Sequence, residues 1–316
     1  MRKNNLRMIH IFPTYSCNLN CPYCYVNSRN IYKETHIEFS KETFKKVVSF
    51  VNSINPEVIH IEGGEPLLYS KIFDLVAQIK NKNVLNLISN GILINKQVIK
   101  KLELAGLKKI TLSLDGADSK TNSILRKNSF NEIIRAFQLL QKSSIYTSLS
   151  FTLIRQNQKD VESGKLINLA IRLGINEVRI GSFLLAGRGN RAKHLLLTKK
   201  DYLNLIKNYL ILKKKFNNKI HITLSLPGFL LNSIQKTNLK NSFSKFILCD
   251  AGKAQIAIGP YGEIYPCYNL VNRKEFIIGN IAKQSISSIF KNSLVRKIKQ
   301  NKNFCPVMSF GHIYYW

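Results

Sequence analysis

The chain has 316 residues, of which 45% are hydrophobic, and its formal net charge is +30. This length allows one large domain, or one domain with a small appendage, and a substantial hydrophobic core. No apolar run reaches the roughly 18 residues that a membrane-spanning helix needs. The basic N-terminal segment also lacks the small-residue cleavage site of a signal peptide. We therefore expect a cytoplasmic protein without a membrane span.

The excess of basic residues leaves two interpretations open. It would attract an acidic partner such as nucleic acid, an acidic peptide or anionic lipid. Alternatively it reflects composition, since lysines occur throughout the chain and the longest basic cluster, at 213–215, has the position of a solvated helix end. We favour the compositional interpretation and do not expect a nucleic-acid partner.

Six β-rich segments alternate with amphipathic stretches in the first part of the chain. The predicted strands are 8–12, 58–62, 84–88, 109–114, 147–154 and 177–182. Six βα units in a row predict a parallel sheet whose right-handed crossovers curl it toward a barrel. In such architectures the functional residues lie at the C-terminal ends of the strands.

Helix signals occupy the intervening stretches. Ser40 is suited to cap a helix, and residues 129–142 place apolar side chains at a helical period. Thr198 and Asp201 resemble a capping box that opens a helix at 202–215.

The pattern changes after about residue 245. Residues 254–258 and 263–265 predict a β-hairpin around a glycine-rich turn, and a helix is expected at 285–300. We therefore divide the chain into a core domain, residues 1–240, and a small C-terminal α+β domain, residues 241–316.

Three of the six cysteines form a C-x3-C-x2-C cluster directly after the first predicted strand. The six are Cys17, Cys21, Cys24, Cys249, Cys267 and Cys305. Clustered cysteines in a cytosolic chain of this length favour metal binding over disulfides. Three thiolates in one tight loop can hold three irons of a cubane cluster and leave the fourth iron open. Zinc is the alternative, but it needs a fourth ligand close by, and no second C-x2-C pair is present.

With Tyr23 before the third cysteine, this cluster resembles the signature of the radical S-adenosylmethionine (SAM) superfamily, C-x3-C-x-aromatic-C. The resemblance implies a partial (β/α)6 TIM-like barrel and a [4Fe–4S] cluster on Cys17, Cys21 and Cys24, whose open iron binds SAM. One electron then cleaves SAM to methionine and a 5′-deoxyadenosyl radical, which abstracts a hydrogen atom from the substrate. A flavodoxin- or ferredoxin-type reductant is typical of the family.

Two further strand ends resemble motifs of the same family. The run Gly63, Gly64, Glu65 and Pro66 resembles the GGEP motif that contacts the SAM amino group. Its glycines let a ligand approach the backbone closely, and Glu65 can accept a hydrogen bond from a cationic amine. Asn90, within Ser-Asn-Gly, resembles the turn after the family's third strand.

The fourth predicted strand ends in Ser113-Leu114-Asp115-Gly116, which resembles the family's S-[IL]-D-G segment. The resemblance implies that Ser113 and Asp115 point at SAM or the substrate. Arg126 matches an arginine that reaches the SAM carboxylate or ribose. Its alternative roles are to cap a helix or to pair with Glu132.

Two other groups of polar residues are ambiguous. Arg188 and Arg191 lie in a glycine-containing loop after the sixth predicted strand. They could clamp a substrate carboxylate or belong to a solvated loop. The isolated histidines are assigned no role; they are His10, His36, His60, His194 and His221.

The C-terminal cysteines resemble the start of a SPASM/twitch domain, which holds auxiliary [4Fe–4S] clusters. A full domain of this kind carries seven cysteines and this chain offers three, so two auxiliary clusters are excluded by the ligand count. We expect one auxiliary cluster on Cys249, Cys267 and Cys305, with its fourth iron open or bound by substrate or His312. The alternative is a truncated domain without a cluster, in which Cys305 donates a hydrogen atom or has no role.

Enzymes with these motifs most often modify peptides by crosslinking, epimerisation or side-chain oxidation. The resemblance therefore implies a maturase of ribosomally made peptides (RiPPs). The first alternative is cofactor biosynthesis of the molybdopterin-precursor or haem type, in which the Arg188 loop would bind a phosphate or propionate. The second is a non-enzymatic zinc- or nucleic-acid-binding protein, which the joint presence of the strand-end motifs disfavours.

Overall fold

A ten-stranded sheet runs through the computed structural model, which describes residues 6–30, 37–225, 251–252, 254–284, 286–289, 291–293 and 295. The strands are β1 (Met8–Ile11), β2 (Ser16–Cys17), β3 (Arg29–Asn30), β4 (Val58–Ile61), β5 (Leu85–Ser89), β6 (Lys109–Ser113), β7 (Tyr146–Leu153), β8 (Glu177–Ser182), β9 (His221–Ser225), β10 (Gln255–Ile258), β11 (Glu263–Tyr265) and β12 (Gly279–Asn280). The sheet order is β12-β11-β10-β1-β4-β5-β6-β7-β8-β9, and β2 pairs with β3 separately. The two edge strands do not pair, so the sheet is an open, partial barrel.

All six strands expected from the sequence are present as β1 and β4 to β8. Each pairs in parallel with the next, which confirms the α/β class and the partial (β/α)6 barrel. The sequence analysis did not identify β9, which pairs in parallel with β8. This strand alternates polar and apolar residues instead of forming the apolar run that marks a buried parallel strand.

Helices fill the connections between the strands. They are α1 (Lys41–Ile54), α2 (Ile72–Gln78), α3 (Lys96–Leu104), α4 (Ser119–Ser123), α5 (Phe130–Leu140), α6 (Gln158–Glu162), α7 (Lys165–Arg172), α8 (Lys199–Phe216) and α9 (Ile286–Ile289). Ser40 caps α1 by accepting a hydrogen bond from the Thr43 amide, as expected. Thr198 and Asp201 form the expected capping box, and α8 starts directly after Thr198. Half of the residues in the helix predicted at 285–300 lie outside the described residues.

The two faces of the sheet carry different residues. On the face that packs against the helices, alternate positions such as Ile9, Ile11, Ile59 and Ile61 are fully buried in the main core. The opposite, inner face is polar and also buried. Its residues include His10, His60, Asn86, Thr111, Ser148 and Glu177. Because burying polar groups is costly unless they are hydrogen-bonded, this inner face is a surface suited to polar contacts.

The predicted hairpin is present as β10 and β11, which pair antiparallel. β10 also pairs in parallel with β1, with Ile256 opposite Ile9. The C-terminal segment therefore continues the barrel sheet, and the hairpin turn comes close to the residues that follow β1, where Tyr15 Oη donates to Glu263 Oε1 at 3.0 Å.

Two glycines after β4 let the cysteine-bearing segment lie directly against the turn at 62–66. The Gly64 amide donates to Thr14 O at 3.0 Å and the Glu65 amide donates to Ser16 O at 2.8 Å. A Cβ on Gly64 would lie 2.1 Å from Ser16 O, and one on Gly63 would lie 2.5 Å from Thr14 O. The glycines are thus required by packing inside the protein.

We predict that Gly64→Ala lowers the free energy of unfolding by about 1–3 kcal/mol, because the new methyl group forces two backbone segments apart. Urea unfolding measures this change. Gly181→Ala is the matched control, since its Cβ would meet nothing closer than Phe151 O at 3.8 Å. Equal stabilities of the two variants would contradict the packing role of Gly64.

Candidate active site

The three N-terminal cysteines lie in one loop that begins at the end of β2. Cys17 is buried and Cys21 and Cys24 are half-buried, and the Cys24 amide donates to Cys21 O at 3.3 Å. Burial raises the pKa of the Cys17 thiol to about 12 and that of Cys21 to about 11, and the neighbouring thiols add to both shifts. The thiols of Cys17 and Cys21 therefore lie in poorly hydrated surroundings, where a bound metal would have to displace their protons.

The chemistry of these donors fits an iron–sulfur cluster better than zinc. Within the described ranges, no three His, Cys, Asp or Glu side chains converge closely enough to hold one metal ion. A tetrahedral zinc site needs four ligands around one ion. In a cubane cluster each thiolate binds a different iron, so the three thiolates of this loop would suffice and leave the fourth iron open.

Arg188, in the loop after β8, holds the cysteine loop in place. Its amide donates to Cys24 O at 3.0 Å, its Nε to Cys21 O at 3.1 Å and its Nη1 to Ser28 O at 2.6 Å. Gly187 permits this approach with φ of +55°, because a Cβ there would lie 2.3 Å from Tyr25 O. The Arg188 guanidinium therefore anchors the loop after β8 to the backbone of the cysteine loop.

Glu65 connects the ends of β4 and β5 from a fully buried position. One carboxylate oxygen accepts from Ser89 Oγ at 2.8 Å and from the Leu67 amide at 3.1 Å, and the other accepts from the Asn90 amide at 2.7 Å. Burial nevertheless raises the pKa of Glu65 to about 7. A nearby cation would favour its charged form. Pro66 is buried and begins the short turn Pro66–Leu68.

Asn90 links this carboxylate to the cysteine loop. Its Nδ2 donates to Asn18 Oδ1 at 2.7 Å and contacts the Cys17 sulfur at 3.9 Å. The predicted residues Glu65, Asn90 and Cys17 are thus brought together although they come from three different strand ends.

Tyr23, Asp115 and Arg126 form a second buried group beside the cysteines. Asp115 is fully buried and accepts from Tyr23 Oη and Arg126 Nε, each at 2.5 Å, and from the Thr152 amide at 2.6 Å. Arg126 also donates to Tyr23 Oη and packs 5.6 Å from the centre of its ring.

The positive charge of Arg126 partly opposes the burial that raises the pKa of Cys21. Arg126 therefore pairs with Asp115 and not with Glu132, the partner that the sequence suggested. Ser113, half-buried at the end of β6, lies two residues before that carboxylate.

His10 and Glu62 form a pair that the sequence analysis missed. His10 Nδ1 lies 2.5 Å from Glu62 Oε1, and Tyr25 Oη donates to Glu62 Oε2 at 2.7 Å. Tyr268 stacks on the His10 ring at 4.6 Å, and His10 Nε2 is buried without a partner among the described residues. The polar residue within Met-Ile-His-Ile, an otherwise apolar strand, was the available signal.

Of the three C-terminal cysteines, Cys267 alone lies within the described residues. Cys267 is buried and directly precedes Tyr268, and it belongs to a small core that also packs against Cys24 and Tyr25. Cys249, Cys305 and His312 lie outside the described residues. Among the helices of the described part, none is long and apolar enough to cross a membrane.

Comparisons with known proteins agree with this geometry. Residues 11–167 match the radical SAM superfamily, and residues 249–308 match SPASM, an iron–sulfur cluster-binding domain. Mycofactocin maturase MftC of Mycolicibacterium smegmatis is 26% identical over 95% of this chain and 74% of its own length. The AdoMet-dependent heme synthase of Methanosarcina barkeri is 24% identical over 98% of this chain and 90% of its own length.

The fold is similar to that of Streptococcus suis SuiB, whose crystal structure holds the precursor peptide SuiA. The TM-score is 0.74 at 16% identity, covering 93% of this chain and 66% of the SuiB chain. At that identity the similarity concerns the fold alone. The two family matches agree with the parallel sheet and with the cysteine loop. The chain therefore belongs to the radical SAM superfamily: it is an enzyme that uses SAM and iron–sulfur chemistry, and it carries a SPASM domain.

Proposed function

We propose that this radical SAM enzyme modifies a peptide, as a maturase. The observation that carries the proposal is the polar inner face of the barrel, where His10 lies opposite His60 and His60, Asn86 and Thr111 are joined by hydrogen bonds. His10 Nε2 on this wall is buried without a partner among the described residues. A peptide backbone can supply that partner, whereas the apolar face of a porphyrin would leave it unpaired. The similarity to a maturase over 95% of the chain supports the same choice.

Cofactor biosynthesis is the second candidate, because the heme synthase of M. barkeri aligns with nearly the whole chain. In that function Arg188 and Arg191 of the loop after β8 could bind a phosphate or propionate. The Arg188 guanidinium instead donates to Cys21 O and Ser28 O, which leaves Arg191 as the arginine of this loop that could bind such a group.

In the proposed site, Cys17, Cys21 and Cys24 hold the SAM-binding [4Fe–4S] cluster. When bound, the cluster and SAM supply the radical chemistry. The chain's own residues exclude water and fix charge: Glu65 is placed to accept from the SAM amino group beside the backbone of Gly63, Gly64 and Pro66. Glu65 also holds Asn90 against the cysteine loop, through its bond to the Asn90 amide.

The second buried group sets the polarity of the other side of this site. We propose that Tyr23, Ser113 and Arg126 contribute to SAM binding, with Asp115 as the residue that positions them. Arg126, held by its ion pair with Asp115, lowers the pKa of the Cys21 thiol against the larger effect of burial, which favours the thiolate form that a metal requires.

We propose one auxiliary [4Fe–4S] cluster on Cys249, Cys267 and Cys305. The SPASM match spans all three positions, and Cys267 is buried beside the core that contacts Cys24. If that cluster does not form, Cys305 becomes a candidate hydrogen-atom donor. We also propose that the chain consists of a core domain, residues 1–240, and a C-terminal domain, residues 241–316.

We also propose that the enzyme works in the cytoplasm, where a flavodoxin- or ferredoxin-type protein reduces the cluster. None of the described cysteines forms a disulfide, which suits the reducing cytoplasm.

We predict that the holoenzyme, given SAM and a reductant, changes the mass of a small peptide encoded beside its gene. Mass spectrometry of the peptide measures the change, and the Cys17→Ala variant, which lacks a cluster ligand, is the control. Conversion of a porphyrin or nucleotide precursor, with the peptide left unaltered, would contradict the maturase proposal.

We predict about eight irons per chain after anaerobic reconstitution, since two [4Fe–4S] clusters contain four each. Cys267→Ala should retain about four irons and still form 5′-deoxyadenosine from SAM, whereas Cys17→Ala should lose that activity. Iron and sulfide analysis with a deoxyadenosine assay measures both. About four irons in the unaltered chain, with no further loss in Cys267→Ala, would exclude the auxiliary cluster.

We predict that Glu65 makes the SAM-free protein less stable as the pH rises from about 4.5 to about 7. A carboxyl whose pKa is raised from 4.5 to about 7 in the folded state binds its proton more tightly there than in the unfolded chain, so stability is lost over that interval. The expected loss is on the order of 3 kcal/mol.

Urea unfolding of the metal-free protein at several pH values tests this expectation. Glu65→Gln should remove that part of the pH dependence. Glu42→Gln is the control, because the Glu42 side chain is 71% exposed. The same pH dependence in the unaltered chain and in Glu65→Gln would show that Glu65 titrates normally.

A further inference from the structure

A cleft of about 320 Å³ opens beside the cysteine loop. Asn27 of that loop forms one wall, Arg191 of the loop after β8 forms another, and Arg273 of the C-terminal segment forms the third. Arg188 lines the cleft as well. The cleft therefore lies where three parts of the chain meet around the proposed cluster ligands.

The lining of this cleft is cationic. It contains Arg188, Arg191 and Arg273 and no acidic residue. Arg188 donates to the cysteine loop, and Arg273 pairs with the exposed Glu275 at 2.9 Å. Arg191 is exposed, and no acidic side chain of the described part pairs with it. Its charge is available to a partner that brings carboxylates.

A short path of contacts connects the cleft to a cluster ligand. Arg188 Nη2 donates to Ser28 Oγ at 3.4 Å, and that hydroxyl lies 3.5 Å from Cys24 Sγ. The Arg188 amide also donates to Cys24 O. A protein bound at this cleft is thus separated from the Cys24 sulfur by one arginine and one serine.

We propose that this cleft is the docking surface of an acidic one-electron carrier protein, which delivers its electron on the Cys24 side of the site. The proposal rests on the proposed function only for the cluster at Cys17, Cys21 and Cys24. The carrier is oxidised by one electron and the cluster is reduced by one, and no bond is formed or broken. An acidic segment of the peptide substrate would suit the charge, but it would not require the path to Cys24.

The test compares Arg191→Glu holoenzyme with the unaltered holoenzyme, using a reduced acidic flavodoxin as the probe. We expect the Kd for flavodoxin to rise about tenfold at low salt and the difference to shrink at high salt, where exposed charges are screened. The flavodoxin-driven rate of 5′-deoxyadenosine formation should fall with the loss of binding. The dithionite-driven rate should not change, because that small reductant needs no docking surface.

Two further variants serve as controls. Arg191→Lys keeps the charge and should bind flavodoxin like the unaltered chain. Lys80→Glu makes the same change of charge at an exposed residue before β5, at the opposite end of the strands from the cysteine loop. It should leave the Kd within about twofold of the original, since a screened charge at that distance contributes little.

Equal weakening in Arg191→Glu and Lys80→Glu would overturn the proposal, because the carrier would then respond only to the overall charge of +30. Unchanged flavodoxin binding in Arg191→Glu, with weakened binding of the peptide substrate, would assign the cleft to the peptide. Formation of 5′-deoxyadenosine without a peptide substrate depends on the reductant and not on the peptide. The result of this test therefore stands even if the enzyme turns out not to modify peptides.

Discussion

The contact on which the site depends is the close approach of two backbone segments, the one entering the cysteine loop and the turn after β4. The amides of Gly64 and Glu65 bond to carbonyls of Thr14 and Ser16, and no side chain fits between them. This approach places the Glu65 carboxylate under the cysteines, and Glu65 in turn bonds to the Asn90 amide and the Ser89 hydroxyl. The chain's own hydrogen bonds thereby join three strand ends.

The cysteine loop is held from its other side by the Arg188 loop, so its shape is fixed from both directions. The cysteine loop has little regular structure of its own, so its backbone carbonyls need hydrogen-bond donors. The Arg188 guanidinium supplies donors to two of these carbonyls. A loop already held in shape loses less conformational entropy when it binds a cluster. The same contacts bring the surface within two hydrogen bonds of Cys24 Sγ.

The sequence predicted those features that depend on local patterns. Apolar runs located six strands of the barrel, and Ser40 and Thr198 located two helix starts. The partners of Arg126 and Arg188 could not be found in this way. Arg188 bonds to a carbonyl 167 residues away, and its contacts depend on how β8 and the cysteine loop are placed in three dimensions. His10 was passed over for a related reason, since Glu62 and Tyr268 meet it only in the folded sheet.

The C-terminal segment gains its significance from β10. Because β10 pairs in parallel with β1 and β11 runs antiparallel to β10, the hairpin turn lies at the end of the sheet where the chain leaves β1, and Tyr15 Oη donates to Glu263 Oε1 at 3.0 Å. After the hairpin, Cys267 belongs to the small core that packs against Cys24 and Tyr25. The half-buried Tyr268 stacks on His10, and Asn272 Nδ2 donates to Val26 O at 3.0 Å. A change at Cys267 would therefore alter the packing beside Cys24 and Tyr25, which connects this part of the C-terminal segment to the first cysteine loop.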